Sequence, residues 1–224
     1  MDWSVVYDYR ELFYRGIINT VLLTVVATIC GTILGLFISL GKMSSNKFLS
    51  GVCSVYVELF RGTPMLVQIF LIHFAVIPSI WEVLFPGEPS PEAIFSGFVA
   101  LSLNAAAYIA EIFRAGIQSI DPGQMEAARS LGMSKGMAMR LIILPQGFTR
   151  MLPALGNEFI SLLKDSSLTA VIATPDLHYA AMNVAKSTFE RYPPYLTEAA
   201  VYLVFTLFLS RIVVRKLEKK YSAR

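Results

Sequence analysis

Five apolar stretches, near residues 16–41, 51–77, 93–113, 151–174 and 195–214, each reach the length that crosses a hydrocarbon core, roughly 20 residues. Lipid offers the backbone no hydrogen-bond partner, so a crossing segment satisfies its own N–H and C=O groups by being helical. The expectation is an all-α integral membrane protein with five transmembrane helices, folded as a single domain over residues 1–224. Composition agrees. The chain is 55% hydrophobic and 16% charged, whereas soluble domains sit near 45–50% apolar and about 25% charged.

Lys and Arg outside these spans are unevenly placed. The stretches 42–50, 114–150 and the tail from Arg211 carry two, five and six, while the N-terminal segment, 78–92 and 176–194 carry two, none and two. Thirteen against four is a positive-inside bias. It predicts an outside N-terminus, a cytoplasmic C-terminus and a cytoplasmic loop between the third and fourth spans. The opening MDWSVVYDYRELFYRG lacks the basic start of a cleaved signal peptide. An odd number of spans disfavours the duplicated halves of many secondary transporters.

Some readings fall away. Basic residues are not gathered into a nucleic-acid patch, and His73 and His178 have no metal-ligand spacing, so no metal is expected. GLFISLGKM at 35–43 has five residues between its glycines and Met43 after the lysine, which departs from a phosphate-binding loop. Cys30 and Cys53 sit in apolar surroundings and read as buried structural thiols. Ala27, Gly31, Gly35 and Ser39 recur every four residues, the stripe expected of a close helix-packing face.

Ionisable groups inside spans are costly and mark function by default. At about 1.5 Å of rise per residue, Glu58 and Glu158 both lie roughly 11 Å, and Arg61 roughly 15 Å, from the cytoplasmic ends of their spans. Asn104 falls near the midplane, and Ser161 follows Glu158 by three residues. Glu58, Arg61, Asn104, Glu158 and Ser161 are therefore candidate substrate-binding residues. Gly62-Thr63-Pro64 predicts a kink or break just after Arg61. Two other readings stand beside this one: Glu58 and Arg61 as an ion pair on one helix face, and Asn104 as an interhelical hydrogen bonder. Lys164 and Asp165 point in different directions on a helix and read as a gate or as structural polar groups. Glu111 and Arg114 are placed to stabilise the neighbouring loop.

The loop has its own helix signals. Asp121 followed by Pro122 is a strong start, with Gln124 at the capping-box position. Gly132 suits a left-handed stop, and Ser134 starts a second helix expected to end near Pro145. Ala127, Ala128 and Gly132 leave a low-relief face. The run EAARSLGMSKGMAMRLIILP, with Glu126-Ala127-Ala128, Gly132 six residues after the glutamate, and Ile142 before Leu144-Pro145, resembles the EAA loop of bacterial ABC importer membrane subunits. ELFRGTPMLVQ, NAAAYIAEIFRAGIQSI and LPALGNEFISLLKDSSLTAVI narrow the resemblance to permeases for polar amino acids, the histidine/glutamate/glutamine/arginine/opine group.

The resemblance implies a type I ABC importer membrane domain in the bacterial cell membrane, a transport subunit rather than an enzyme. Its coupling loop, about 121–145, would dock on a separate ATPase through Glu126, Ala127, Ala128 and Gly132. The implied partners are two ATP-binding subunits, a second permease subunit (identical or paralogous), an extracytoplasmic substrate-binding protein, the amino acid and membrane lipid. ATP and Mg would be held by the ATPase, with no cofactor in this chain. A basic amino acid is expected over glutamine or glutamate, because the in-span layer holds three carboxylates against two cations. The alternative is an ATP-independent channel or ion-coupled carrier, which ATP-dependent transport with an added ATPase would exclude.

Overall fold

A computed structural model describes residues 1–221; Arg224, one of the tail residues counted above, lies outside them. The described residues form helices and no strands: α1 (Ser4–Asp8), α2 (Arg10–Lys42), α3 (Lys47–Gly62), α4 (Met65–Leu84), α5 (Ala93–Gln118), α6 (Pro122–Ser130), α7 (Lys135–Ala138), α8 (Leu144–Asp165), α9 (Leu177–Thr188) and α10 (Tyr192–Tyr221). Four of them, α2, α4, α5 and α10, are long and apolar enough to cross a membrane. The fourth expected span corresponds to α8, 22 residues with Pro153 inside, followed by a 3-10 turn over Ser166–Ile172. It is long enough to cross, roughly 33 Å, but more polar than the four.

Two boundaries and one burial differ from those expected. The apolar stretch expected from residue 51 is not one helix: α3 ends at Gly62, Thr63 and Pro64 are extended, and the helix long and apolar enough to cross is α4. Pro64 lacks the N–H that would continue α3, so the chain restarts there. The second loop helix does not stop near Pro145. It passes through a π turn, Met139–Ile143, directly into α8. A π turn widens the ladder ahead of a proline that would otherwise clash with the carbonyl four residues back. The same device, Ile72–Val76, precedes Pro78 in α4. Finally, the cysteines are not buried. Cys30 is exposed and Cys53 half-buried, since apolar surroundings in a lipid-facing sequence do not require a buried face.

The centre is the crossing of α2 with α5. A Cβ added at Gly31 would stand 2.7 Å from the Ala105 Cβ, and one at Gly35 would stand 2.9 Å from the Ala106 carbonyl oxygen. Ala27 and Ser39 continue the buried stripe. Lipid is as apolar as a leucine side chain, so membrane helices gain little from hiding apolar area. They gain from close backbone approach, which small residues allow. Leu23, Leu101, Ile109, Phe113, Met151 and Leu162 fill the core that α2, α5 and α8 share. The last helix packs back through Val214, which a Cβ at Gly156 would meet at 2.8 Å.

Candidate functional site

The break after α3 is built from polar side chains. Gln68 is buried, and its Nε2 donates to the Phe60 carbonyl (2.7 Å), the Thr63 carbonyl (3.0 Å) and the Thr63 hydroxyl (2.8 Å). It thereby satisfies backbone oxygens that lost their helical partners at Pro64. Its Oε1 accepts from Asn104 Nδ2 at 2.8 Å, which ties the break to α5. Asn104 thus bridges two helices while also facing a cavity. Sequence reasoning assigned Gln68 no role; the signal was a buried-type amide four residues after a helix-breaking proline.

That cavity, about 190 Å³, is lined by Thr63, Met65, Asn104, Tyr108, Glu158, Ser161 and Asp165. A cleft of about 520 Å³ shares Tyr108 and Glu158 with it and extends past Arg61, Glu111 and Met151 to Ser119 and Arg150, beside the loop. The two spaces therefore meet at one tyrosine and one carboxylate. Asn104, Glu158 and Ser161 come together as candidates, Arg61 stands in the adjoining cleft, and Asp165 joins the lining. Glu58 and Lys164 are exposed and lie outside both spaces. Tyr108, which the sequence reading did not single out, has the Arg61 guanidinium 5.3 Å from its ring centre. The chemistry on offer is ammonium binding by two carboxylates, with amide and hydroxyl groups to orient a polar ligand.

Arg61 does not pair with Glu58. Its Nη1 is 3.7 Å from Glu111 Oε2, and Glu111 also takes Lys42 at 2.7 Å and Arg114 at 2.8 Å. One carboxylate on α5 thus holds the end of α2, the end of α3 and the next turn of its own helix. Removing it leaves three cations together without their counter-charge. Glu111→Gln is expected to destabilise the fold by about 1–3 kcal/mol, since hydrogen-bonded partners would be orphaned in a half-buried setting. Thermal unfolding of the purified variant at low and high salt checks this. An unfolding temperature equal to wild type in both would show that the cluster contributes nothing.

The loop helix α6 starts and stops as its sequence directs. Asp121 Oδ1 accepts from Gly123 N–H at 2.7 Å. Gln124 does not close a capping box; its side chain accepts instead from Gln146 Nε2 at 3.5 Å. At the other end Met133 N–H donates to the Ala128 carbonyl and Gly132 N–H to the Arg129 carbonyl, a Schellman stop with Gly132 at φ 84°. Ser134 Oγ then accepts from Met137 N–H to start α7. The low-relief face is divided: Ala128 is buried, while Glu126, Ala127, Leu131 and Gly132 are exposed. Leu131 is 84% exposed at the corner, a large apolar side chain presented to whatever meets the loop.

The fold, with its broken helix beside a polar cavity and its capped helical loop, is that of a type I ABC importer membrane domain. The chain belongs to the family of binding-protein-dependent transport system inner membrane components, whose model matches residues 14–222. It is 37% identical to a probable glutamine ABC transporter permease protein, GlnM, of Bacillus subtilis, over 99% of this chain and 100% of that protein. Identity to the arginine transport system permease protein ArtQ of the same organism is 34%, covering 97% and 98%. A crystal structure of an amino acid ABC transporter with histidines superposes with a TM-score of 0.89 at 44% identity, covering 98% of this chain and 99% of that one. These relatives are transport components rather than enzymes.

Proposed function

We propose that this chain is the membrane subunit of an ATP-driven importer of polar amino acids, a single permease domain that spans a bacterial cell membrane five times with its N-terminus outside. On this reading the fifth crossing is α8, and its lower apolarity follows from the polar face it turns to the cavity. The subunit pairs with an identical or paralogous copy, takes substrate from an extracytoplasmic binding protein, and docks on two ATPase subunits that hold ATP and Mg. Glu126, Ala127, Leu131 and Gly132 form the docking corner, with Ala128 as the buried support beneath it.

The observation that carries the substrate reading is the charge of the cavity. Glu158 and Asp165 line it, and no Lys, Arg or His is among its lining residues. Arg61, in the adjoining cleft, already faces Glu111. Two carboxylates are costly in a low-dielectric space unless a cation meets them or they take up protons. An amino acid ammonium answers one, and a cationic side chain answers the other. Basic amino acids are therefore favoured over glutamine, and glutamate is disfavoured. Arg61, in the adjoining cleft that shares Glu158, keeps guanidinium donors beyond its Glu111 contact to meet the substrate carboxylate.

The test is substrate-stimulated ATP hydrolysis by the complete complex with arginine, lysine, histidine, glutamine and glutamate, in wild type and in Glu158→Gln. Stimulation should be strongest with basic substrates and fall about tenfold or more in the variant, a loss of about 1.4 kcal/mol. Stimulation by glutamate alone would defeat the charge argument. A basic preference that Glu158→Gln leaves intact would remove Glu158 from the site.

A further inference from the structure

A second polar cluster surrounds Asp176, which lies in the segment between α8 and α9, just after the fourth expected span. Asp176 precedes α9 and is fully buried. Its Oδ1 accepts from Tyr179 N–H at 2.7 Å, the N-cap bond of that helix. Its Oδ2 has no partner, and neither do the buried hydroxyls of Thr174 and Tyr202. The surrounding backbone is held hard against α2: a Cβ at Gly16 would stand 2.9 Å from the Asp176 carbonyl oxygen and from Leu177 Cα. Thr20 Oγ1 accepts from Leu177 N–H at 3.0 Å, and Asn19 Nδ2 donates to the Pro175 carbonyl at 2.7 Å. Ala173, in the same connection, sits at φ 62°, a left-handed conformation unfavourable for a non-glycine residue. The packed segment is therefore held in place rather than relaxed.

An ionised Asp176 would leave a charged oxygen unpaired in that packing. A neutral carboxyl instead keeps Oδ1 as the helix cap and leaves no unpaired charge on the buried Oδ2. We propose that Asp176 is a proton-binding site that locks the segment joining α8 to α9 against α2 and α10, so that the packed arrangement takes up one proton and release of the segment returns it. The charged groups facing Asp176 are His178 on its own helix and Glu198 on α10, which pair with each other at 2.9 Å. Around them α2 presents Gly16, Asn19 and Thr20, the 3-10 turn presents Thr169, and α10 presents Tyr202, none of which carries charge. No cation therefore bonds directly to the orphaned oxygen, and a proton fits where there is little space for a larger ion.

Burial raises the Asp176 carboxyl from 3.8 to about 7, with Glu198 adding to the rise and the cap bond, His178 and the Thr169 hydroxyl opposing it. A carboxyl raised in the packed state stabilises that state fully below its ordinary value and loses the contribution as pH rises through about 7. The ratio of packed to released segment should therefore fall on the order of tenfold between about pH 6 and about pH 8. On the topology proposed above, this face meets the outside solution; the equilibrium is the chain's own and is measured without ATPase or substrate.

The experiment is an infrared titration of the full chain in lipid nanodiscs, following the carbonyl stretch of protonated carboxyls in wild type and Asp176→Asn. A band present in wild type and missing from the variant should disappear with a midpoint near 7. In parallel, the unfolding temperature of wild type should drop across that range while that of Asp176→Asn changes less. His178→Gln keeps the carboxyl, removes its cationic neighbour and should move the midpoint upward. A midpoint in the ordinary carboxylate range, about 4, a variant spectrum identical to wild type, or a midpoint that His178→Gln leaves unchanged or lowers would overturn the assignment.

Discussion

Gly35→Leu is expected to stop this chain from reaching a stable fold, and Gly35→Ala alone should cost about 1–3 kcal/mol. The first atom of any side chain there would stand 2.9 Å from the Ala106 carbonyl oxygen and 3.1 Å from the Ala110 nitrogen. Both are backbone atoms of α5, so no rotamer change relieves the clash; one helix must move. Moving it separates Gly31 from Ala105 as well, because a straight helix pair opens along its whole length. The loss extends to the core that Leu23 and Ile109 share. Gly51 is the control, since nothing lies within 4 Å of a Cβ built there. Gly51→Ala on exposed α3 should be neutral or stabilising by up to about 1 kcal/mol. Yield and unfolding temperature in detergent measure both. A Gly35→Leu protein with the wild-type unfolding temperature would mean that α2 and α5 do not cross as described.

Glu126→Lys and Leu131→Glu are expected to lower substrate-stimulated ATP hydrolysis of the complete complex by about tenfold or more, the equivalent of about 1.4 kcal/mol or more. Unfolding temperature of the membrane subunit should stay close to wild type. Both side chains are exposed on the α6 corner, so a change in either is expected to act on a partner rather than on the fold. Gly132→Asp acts differently. The space around Gly132 is open, but its φ of 84° is strained for any other residue, at about 1–2 kcal/mol. That strain would loosen the Schellman stop and misdirect the corner without harming the bundle. Wild-type stimulation in all three variants would remove the corner from the coupling interface.

Much of this architecture could be read along the chain because it depends on local order. Apolar length marked the helices, the four-residue stripe from Ala27 to Ser39 marked the face that α2 turns to α5, and Asp121, Gly132 and Ser134 marked the ends of α6 and the start of α7. Each signal follows from sterics or backbone hydrogen bonding within one or two turns. The sequence also placed Glu58, Arg61, Asn104 and Glu158 at compatible depths, since depth in a helix is rise multiplied by residue number, yet Glu58 faces away from the cavity that Asn104 and Glu158 share. Partner choice was not legible. Glu58 and Arg61 share a helix and invite pairing, yet Arg61 meets Glu111, fifty residues on, because the α3–α5 crossing brings them within reach. Gln68, Tyr108 and the buried Asp176 gained their roles in the same way, from neighbours on other helices. Hydrophobic periodicity records which face of a helix is turned inward, whereas the angle at which two helices cross decides which polar groups meet there. The close approach at Gly31 and Gly35 sets how α2 lies on α5, whereas the contact of α3 with α5 that joins Arg61 to Glu111 exists only in the assembled bundle.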